Sequence, residues 1–215
     1  MKVIVCFILA LMATSALAQD QYTLVFLHKR ADAEQIGKEE SERLMQGHMA
    51  NMNRLAKEGK LLAAGPFDGG GGIFIMNTTR KEEVTEWINS DPGIQAKRWN
   101  VELLLYKPVF GGVCPAGEDY EMTNYTFVRF NPIVSKTTAS SYPDIMKRHH
   151  DYLKDLRSTG NVVTEATFGN DEGGIVVMKG EVTEEAFQSD PGVLEGLILT
   201  EVKKLYIAKG SFCEK

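Results

Sequence analysis

The sequence predicts an α+β protein built from two similar domains, each with the element order βαββαβ. Two observations carry this prediction. The chain repeats itself at an offset of about a hundred residues, and strand-like and helix-like hydrophobic patterns alternate in the same order in both copies. The matching residues are Met45 with Met146, His48 with His149, Leu55 with Leu156, Gly59 with Gly160, Phe67 with Phe168, Met76 with Met178, and Asp91-Pro92-Gly93 with Asp190-Pro191-Gly192.

The first copy begins with a β-branched and aromatic run, Tyr22 to His28, which predicts a strand. An apolar stripe with a 3.6-residue period then predicts a helix from Lys38 to Glu58, which Gly59 ends as a C-terminal cap. The remaining elements are strands Leu61 to Phe67 and Ile73 to Asn77, a helix from Thr79 to Ile88 that Asp91-Pro92-Gly93 stops, and a strand Val101 to Tyr106.

The second copy repeats this order. Its elements are strand Tyr125 to Phe130, helix Tyr142 to Ser158, strands Val162 to Phe168 and Ile175 to Lys179, a short helix from Thr183, and strand Glu201 to Ala208. A four-stranded antiparallel sheet with both helices on one face is the economical packing of each copy. Because the other sheet face is also apolar, we expect the two sheets to press together across a pseudo-twofold axis. The segment from Pro108 to Asn124 is predicted to be a connecting loop.

The N-terminus predicts export. Lys2, the apolar run Val3 to Leu11 and the Ala16-Leu17-Ala18 site form the three parts of a secretory signal peptide cleaved after Ala18. The apolar run is too short to span a membrane, so we expect a periplasmic or secreted protein without a membrane anchor. The domain boundaries are then 1–18 for the signal peptide, 19–108 and 125–215 for the two domains, and 109–124 for the linker.

Charge and cysteine content narrow the choice of partners. The formal net charge is −5 with no basic block, which disfavours nucleic acid as a partner. Outside the signal peptide the chain has two cysteines, Cys114 and Cys213, each shortly after the last strand of its copy. We expect them to meet near the pseudo-twofold axis as a disulfide, which an oxidising compartment preserves. The alternative is a pair of free surface thiols.

Three segments resemble the YCII-related (YciI-like) domain family: His48 through Leu55, Gly59-Lys60-Leu61-Leu62-Ala63-Ala64-Gly65-Pro66, and Asp91-Pro92. The second copy matches less well, because Ala166-Thr167 replaces Gly65-Pro66. The resemblance implies ferredoxin-like domains that pair into a dimeric α+β barrel, here within one chain. It also implies a His–Asp dyad, at His48 with Asp91 and at His149 with Asp190. One resembling enzyme removes chloride from a chlorinated hydroxyhydroquinone ring, and relatives of the barrel fold include isomerases and monooxygenases of aromatic breakdown.

The repeat independently favours a functional site, because His149 occupies the same position in its helix as His48. A carboxylate beside an imidazole fixes one tautomer and makes the ring a usable general base near neutral pH. The alternatives are a core histidine with one hydrogen bond and an aspartate that only terminates a helix. We therefore expect cofactor-independent acid–base chemistry of lyase, dehydrochlorinase or isomerase type on a cyclic or aromatic molecule. The chief rival is an exported module that binds a small molecule without turnover, or has a structural role.

The first copy, which has Gly65-Pro66, is expected to keep the better pocket. The four histidines lack clustered spacing, so no metal site is expected. Further association into a homo-oligomer is left open.

Overall fold

Both halves of the chain form the βαββαβ order. The computed structural model describes residues 21–117, 119–136, 140–169 and 173–213, so the expected signal peptide lies outside the described residues. The first half has β1 (Tyr22–Lys29), α1 (Lys38–Lys57), β2 (Leu61–Pro66), β3 (Gly72–Met76), α2 (Lys81–Ile88), α3 (Pro92–Gln95) and β4 (Trp99–Phe110). The second half has β5 (Met122–Pro132), α4 (Tyr142–Ser158), β6 (Val162–Phe168), β7 (Gly174–Met178), α5 (Pro191–Leu194) and β8 (Ile198–Ala208).

The helical segment that follows the third strand differs between the two halves. The first half has the two-turn helix α2, whereas the second half has a 3₁₀ turn at Glu184–Phe187 in its place. In both halves a four-residue helix follows the Asp-Pro sequence, so these residues start a helix as well as ending one. No helix among the described residues is long and apolar enough to cross a membrane.

All eight strands form one antiparallel sheet in the order β2-β3-β1-β4-β6-β7-β5-β8. The two four-stranded portions join where the end of β4 pairs with β6, from Tyr106 opposite Phe168 to Phe110 opposite Glu165. This junction corrects the prediction of a loop beginning at Pro108, because β4 continues through Phe110 and β5 already begins at Met122. The sequence could not show this extension, since the partner strand lies in the other half.

The sheet curves until its two edge strands, β2 and β8, meet. The backbone N–H of Asp68 donates to the carbonyl of Lys204 at 2.9 Å, and Phe67 forms a bridge with Leu205. A side chain at Gly65 would have its Cβ 2.5 Å from the carbonyl oxygen of Tyr206. Glycine is therefore required here because the two edges approach so closely. This contact also covers part of both edge strands, whose unpaired backbone groups would otherwise promote aggregation.

Three apolar clusters hold the layers together. The largest lies on the inner face of the sheet and draws residues from both halves, among them Phe26, Tyr106, Phe127 and Leu205. The other two lie between each half's helices and the outer face of its strands. The inner cluster explains why both faces of the strands are apolar.

An ion pair between a buried arginine and a half-buried glutamate links the halves on that inner face. Arg129 of β5 donates through both terminal nitrogens to the Glu102 carboxylate of β4, at 2.7 and 2.8 Å. His28 of β1 also contacts Glu102, with 2.7 Å between Nε2 and Oε2. The Arg129 guanidinium lies over the rings of Phe26 and Phe168, 5.0 and 5.8 Å from their centres. Two donors hold the pKa of Glu102 down to about 2, with Arg129 the larger cause, although its partial burial acts in the opposite direction.

The predicted disulfide is confirmed. Cys114 and Cys213 are bonded, with 5.1 Å between their Cα atoms. The backbone N–H of Cys114 also donates to the carbonyl of Ser211 at 2.9 Å. The neighbouring side chains of Val113 and Phe212 are buried in the inner cluster. The bond therefore fastens the connector and the C-terminal tail to the shared core.

Candidate functional site

Helix α1 places His48 on its buried face. Leu44, His48, Asn51 and Leu55 are the buried residues of this helix, and their spacing of three or four positions keeps them on one side. Leu55 packs into the apolar cluster between the helices and the sheet, which holds this face of α1, with its two polar side chains, towards the sheet. The imidazole of His48 and the amide of Asn51 therefore lie between the helix and the sheet.

Asp91 lies directly opposite and uses both carboxylate oxygens. Oδ1 accepts from the backbone N–H groups of Gly93 and Ile94, at 2.9 and 3.2 Å, and so caps helix α3. Oδ2 accepts from the Nδ2 amide of Asn51 at 3.2 Å and lies 2.8 Å from Nδ1 of His48. The sequence thus predicted the pairing of His48 and Asp91 correctly.

The surroundings of Asp91 decide which tautomer His48 adopts. Burial acts to raise the pKa of Asp91, but hydrogen bonds from His48, Ile94 and Asn51 outweigh it and hold the pKa below its ordinary value. An ionised carboxylate only accepts hydrogen bonds, so Nδ1 of His48 must be the donor. Asp91 is the one hydrogen-bond partner of the His48 ring among the described residues. Nε2 is thereby left with its lone pair available to a bound molecule.

Asn51 is a third member of the site that the sequence analysis missed. Arg54 and the Ser90 hydroxyl donate to its Oδ1, at 2.9 and 3.0 Å, which turns its Nδ2 amide towards Asp91. The helical spacing in the sequence does place Asn51 near the dyad, because it follows His48 by three residues and lies on the same helix face. An asparagine alone, however, carries no motif.

Two aromatic rings hold the imidazole of His48 in place. Trp99 and Phe74 have ring centres 5.0 and 5.8 Å from it. Trp99 also fills the space beside Gly93, where an added Cβ would lie 2.5 Å from the indole ring. The glycine after Asp91-Pro92 is therefore required by the tryptophan that packs beside the dyad.

A cavity of about 720 Å³ opens beside His48 and is called here the His48 cavity. Its walls are mainly apolar and come from α1, β2, β3, the connector and the first residues of β4 and β5. They include Met45, Met49, Met52, Ala56, Ala64, Phe74, Trp99, Tyr120 and Met122. Lys29, Arg30 and Arg98 also line it, whereas no acidic side chain is found among the described residues of its wall. The Lys29 ammonium and the Arg98 guanidinium donate to the backbone carbonyls of Gly69 and Glu34, and Arg30 is paired with Asp32.

The second half contains the same dyad. Nδ1 of His149 lies 2.6 Å from Oδ2 of Asp190, whose Oδ1 caps α5 by accepting from Gly192 at 2.7 Å. Tyr152 stands where the first half has Asn51, and its hydroxyl donates to the carbonyl of Ala186 instead. The second dyad therefore lacks the amide that supports the first.

The cavity beside His149, called here the His149 cavity, measures about 220 Å³. His150 and Glu165 line it together with His149. Burial, followed by the nearby charge of His149, lowers the pKa of His150. Among the described residues, no three histidine, cysteine, aspartate or glutamate side chains converge as a group that could hold a metal ion.

Comparison with known proteins identifies part of the chain and its fold. Residues 22–104 match the YCII-related domain. The fold is similar to that of a chlorite dismutase from Candidatus Nitrospira defluvii, with a TM-score of 0.53, 11% identity, and coverage of 87% of this chain and 92% of that one. A candidate monooxygenase from Lactobacillus acidophilus has a TM-score of 0.45 and 12% identity, covering 87% of this chain and 94% of that one. No curated protein sequence matches.

Proposed function

We propose that the first half binds a largely apolar, cyclic or aromatic molecule in the His48 cavity and performs general acid–base chemistry on it. The observation that carries the proposal is the His48–Asp91 hydrogen bond of 2.8 Å at the wall of that cavity. His48 Nε2 takes a proton from the bound molecule and returns it at another position or to a leaving group. Asp91 keeps the Nδ1 proton in place and stabilises the imidazolium that forms, and Asn51 orients Asp91.

The lining of the cavity defines the class of substrate. Methionine, alanine and aromatic side chains suit a flat apolar body, and a general base needs the water-poor surroundings that they provide. Lys29 and Arg98, whose hydrogen bonds go to backbone carbonyls, favour a negatively charged group on that body, whereas Arg30 is already paired with Asp32. A carboxylate or phenolate on a ring combines these properties.

We also propose how the two halves are related and arranged. Residues 125–215 are a second YCII-like domain, so the chain is a tandem duplication whose halves form an intrachain dimeric α+β barrel with pseudo-twofold symmetry. The shared strand order, the equivalent dyads and the meeting of β2 with β8 support this assignment. The disulfide supports export, because such bonds persist in oxidising compartments.

The rival function is binding without turnover. Its support is the predominance of flexible methionine side chains in the wall, which adapt to many apolar shapes and perform no chemistry. Both functions predict a ligand in the same cavity, and they differ in whether His48 is needed for a chemical change.

Deuterium incorporation distinguishes the two functions. The protein is incubated in D₂O with hydroxylated and chlorinated aromatic acids, cyclic keto acids and their neutral esters, and the products are analysed by mass spectrometry. We expect the wild-type protein to exchange or convert an acid in preference to its ester. His48→Gln is expected to bind the same acid and to lose roughly 100-fold or more of the rate.

The matched control is His149→Gln, which removes the equivalent imidazole beside the smaller cavity. We expect it to keep the wild-type rate. Binding of an acid without exchange by the wild-type protein would favour the rival function, and equal rates in wild type and His48→Gln would refute catalysis by His48.

A further inference from the structure

The two halves place equivalent residues around their dyads, and strand pairing establishes the correspondence. Ala64 of β2 lies opposite Phe74, and Glu165 of β6 lies opposite Val176, in both cases just beyond an irregularity at the same point of the strand. Along the helices, Ala56 follows His48 by two turns, as Arg157 follows His149. Ala56 thus corresponds to Arg157, and Ala64 corresponds to Glu165.

These two positions have opposite properties in the two halves. Ala56 and Ala64 contribute only methyl groups and both line the His48 cavity. Arg157 and Glu165 form an ion pair with 2.6 Å between Nη1 and Oε2, and the Glu165 side chain is only 4% exposed. Glu165 lines the His149 cavity, and Arg157 holds its carboxylate there. The cavity beside these residues measures about 720 Å³ in the first half and about 220 Å³ in the second.

We propose that the Arg157–Glu165 ion pair closes the second half to the ligand of the first, so that the chain has one site for a bulky apolar molecule. His149 and Asp190 then keep their hydrogen bond but do not meet that ligand. The proposal rests on the proposed function in taking the His48 cavity as the ligand site. It assigns Arg157 and Glu165 as the residues that determine which of the two dyads is accessible.

The Glu165 end of this ion pair is buried, whereas Arg157 is partly exposed. Removing one partner leaves an uncompensated buried charge, whereas removing both leaves a neutral cavity. The informative variant is therefore Arg157→Ala with Glu165→Ala, which gives the second half the side chains of the first. The reverse variant, Ala56→Arg with Ala64→Glu, places the pair beside His48.

The probe is N-phenyl-1-naphthylamine, a neutral aromatic molecule whose fluorescence rises in apolar surroundings, and the measured quantity is the number bound per chain. The wild-type protein is expected to bind one, the Arg157→Ala/Glu165→Ala variant two, and the reverse variant none. A matched control, Lys147→Ala with Asp151→Ala, removes an exposed ion pair from α4 and is expected to bind one. Urea unfolding verifies that each variant is folded.

The outcomes separate the two proposals. A folded Arg157→Ala/Glu165→Ala variant that binds one probe, or a wild-type protein that binds two, overturns the closure by this ion pair and leaves the function of the first half intact. A wild-type protein that binds none overturns both proposals. If the double alanine variant does not fold, the reverse variant decides, since a folded form that still binds one probe contradicts closure.

Discussion

At the scale of single residues, the carboxylate of Asp91 serves structure with one oxygen and the candidate site with the other. Oδ1 caps α3, and Oδ2 receives His48 and Asn51. This division explains why an Asp-Pro sequence typical of a helix boundary also belongs to a site. The two interpretations weighed from the sequence, a helix terminator and a dyad member, are therefore both correct descriptions of its contacts.

The two roles can be separated by the substitution Asp91→Asn. Asparagine caps helices about as well as aspartate, so α3 is expected to stay folded. An amide turned with Oδ1 to the cap presents its Nδ2 donor to His48 and repels the Nδ1 proton. We expect the neutral His48 ring to shift from the Nδ1–H to the Nε2–H tautomer, which ¹⁵N chemical shifts of labelled histidine measure directly.

The companion substitution Asp190→Asn is the control for this experiment, because it acts on the equivalent His149 and leaves His48 unchanged. The His48 resonance is assigned by its disappearance in His48→Gln. An unchanged His48 tautomer in a folded Asp91→Asn protein would contradict the role given to Oδ2.

Site residues could be predicted from the sequence where the same residue type recurs at the matching position of the second copy. His48 and His149 stand in the same helical register, and each has an aspartate at the matching place, so the dyads could be predicted from the sequence. Asn51 could not, because the second half has Tyr152 there. Arg157 and Glu165 could not be predicted either, since a charged pair on a helix and the following strand usually faces solvent.

At the scale of elements, the connector between the halves both joins them and forms part of the cavity wall. Ala116 and Tyr120 of the connector and Ser211 of the tail line the His48 cavity, although the connector belongs to neither repeated unit. The sequence predicted the disulfide that fastens the connector, because both cysteines follow the last strand of their copy. The sequence could not predict that the connector lines the His48 cavity, because this depends on the path of the connector across the first half.

The disulfide is expected to contribute substantially to stability. Cys114 and Cys213 are 99 residues apart, and closing a loop of this length reduces the entropy of the unfolded chain by an equivalent of about 4–5 kcal/mol. The Cys114→Ser/Cys213→Ser variant should unfold at a lower urea concentration by a corresponding amount. Equilibrium unfolding followed by tryptophan fluorescence measures this difference.

Reductant provides the internal control. It should lower the stability of the wild-type protein towards that of the double serine variant, and should leave the variant unchanged. Identical urea midpoints for oxidised wild type and variant would show that the loop gains nothing from closure.

At the scale of the whole molecule, the halves meet along two seams of different construction. One is the β4–β6 pairing, and the other is the close approach of β2 to β8 at Gly65. Sequence patterns predicted each half's strands and the apolar inner face, but not the seams, because they depend on contacts between residues about a hundred positions apart. The Arg129–Glu102 ion pair across the inner face was missed for the same reason.

This ion pair gives the molecule an acid-sensitive contact. The folded-state pKa of Glu102 is about 2, below its ordinary value of 4.5, so the folded protein binds this proton more weakly than the unfolded chain. The stabilisation is complete above about pH 4.5 and is lost as pH falls to about 2. We expect the unfolding free energy of Glu102→Gln to decline less steeply over that range than the wild-type value.

Urea unfolding at pH 5, 4 and 3 measures these slopes. The control is Glu201→Gln, at the equivalent position of β8, where the carboxylate contacts Lys203 at 2.8 Å on the same strand and does not link the halves. Its slope should follow the wild type more closely. A Glu102→Gln protein with an unchanged slope would exclude the ion pair as a source of acid sensitivity.

The covalent union of the halves has a consequence for inheritance. A protein assembled from two identical subunits carries each mutation twice, so a change that shuts one site shuts the other. Here Ala56 and Arg157, or Ala64 and Glu165, are encoded separately and mutate independently. Selection can therefore preserve an open cavity beside one dyad while the other is modified, and the modified half still completes the sheet on which its neighbour depends.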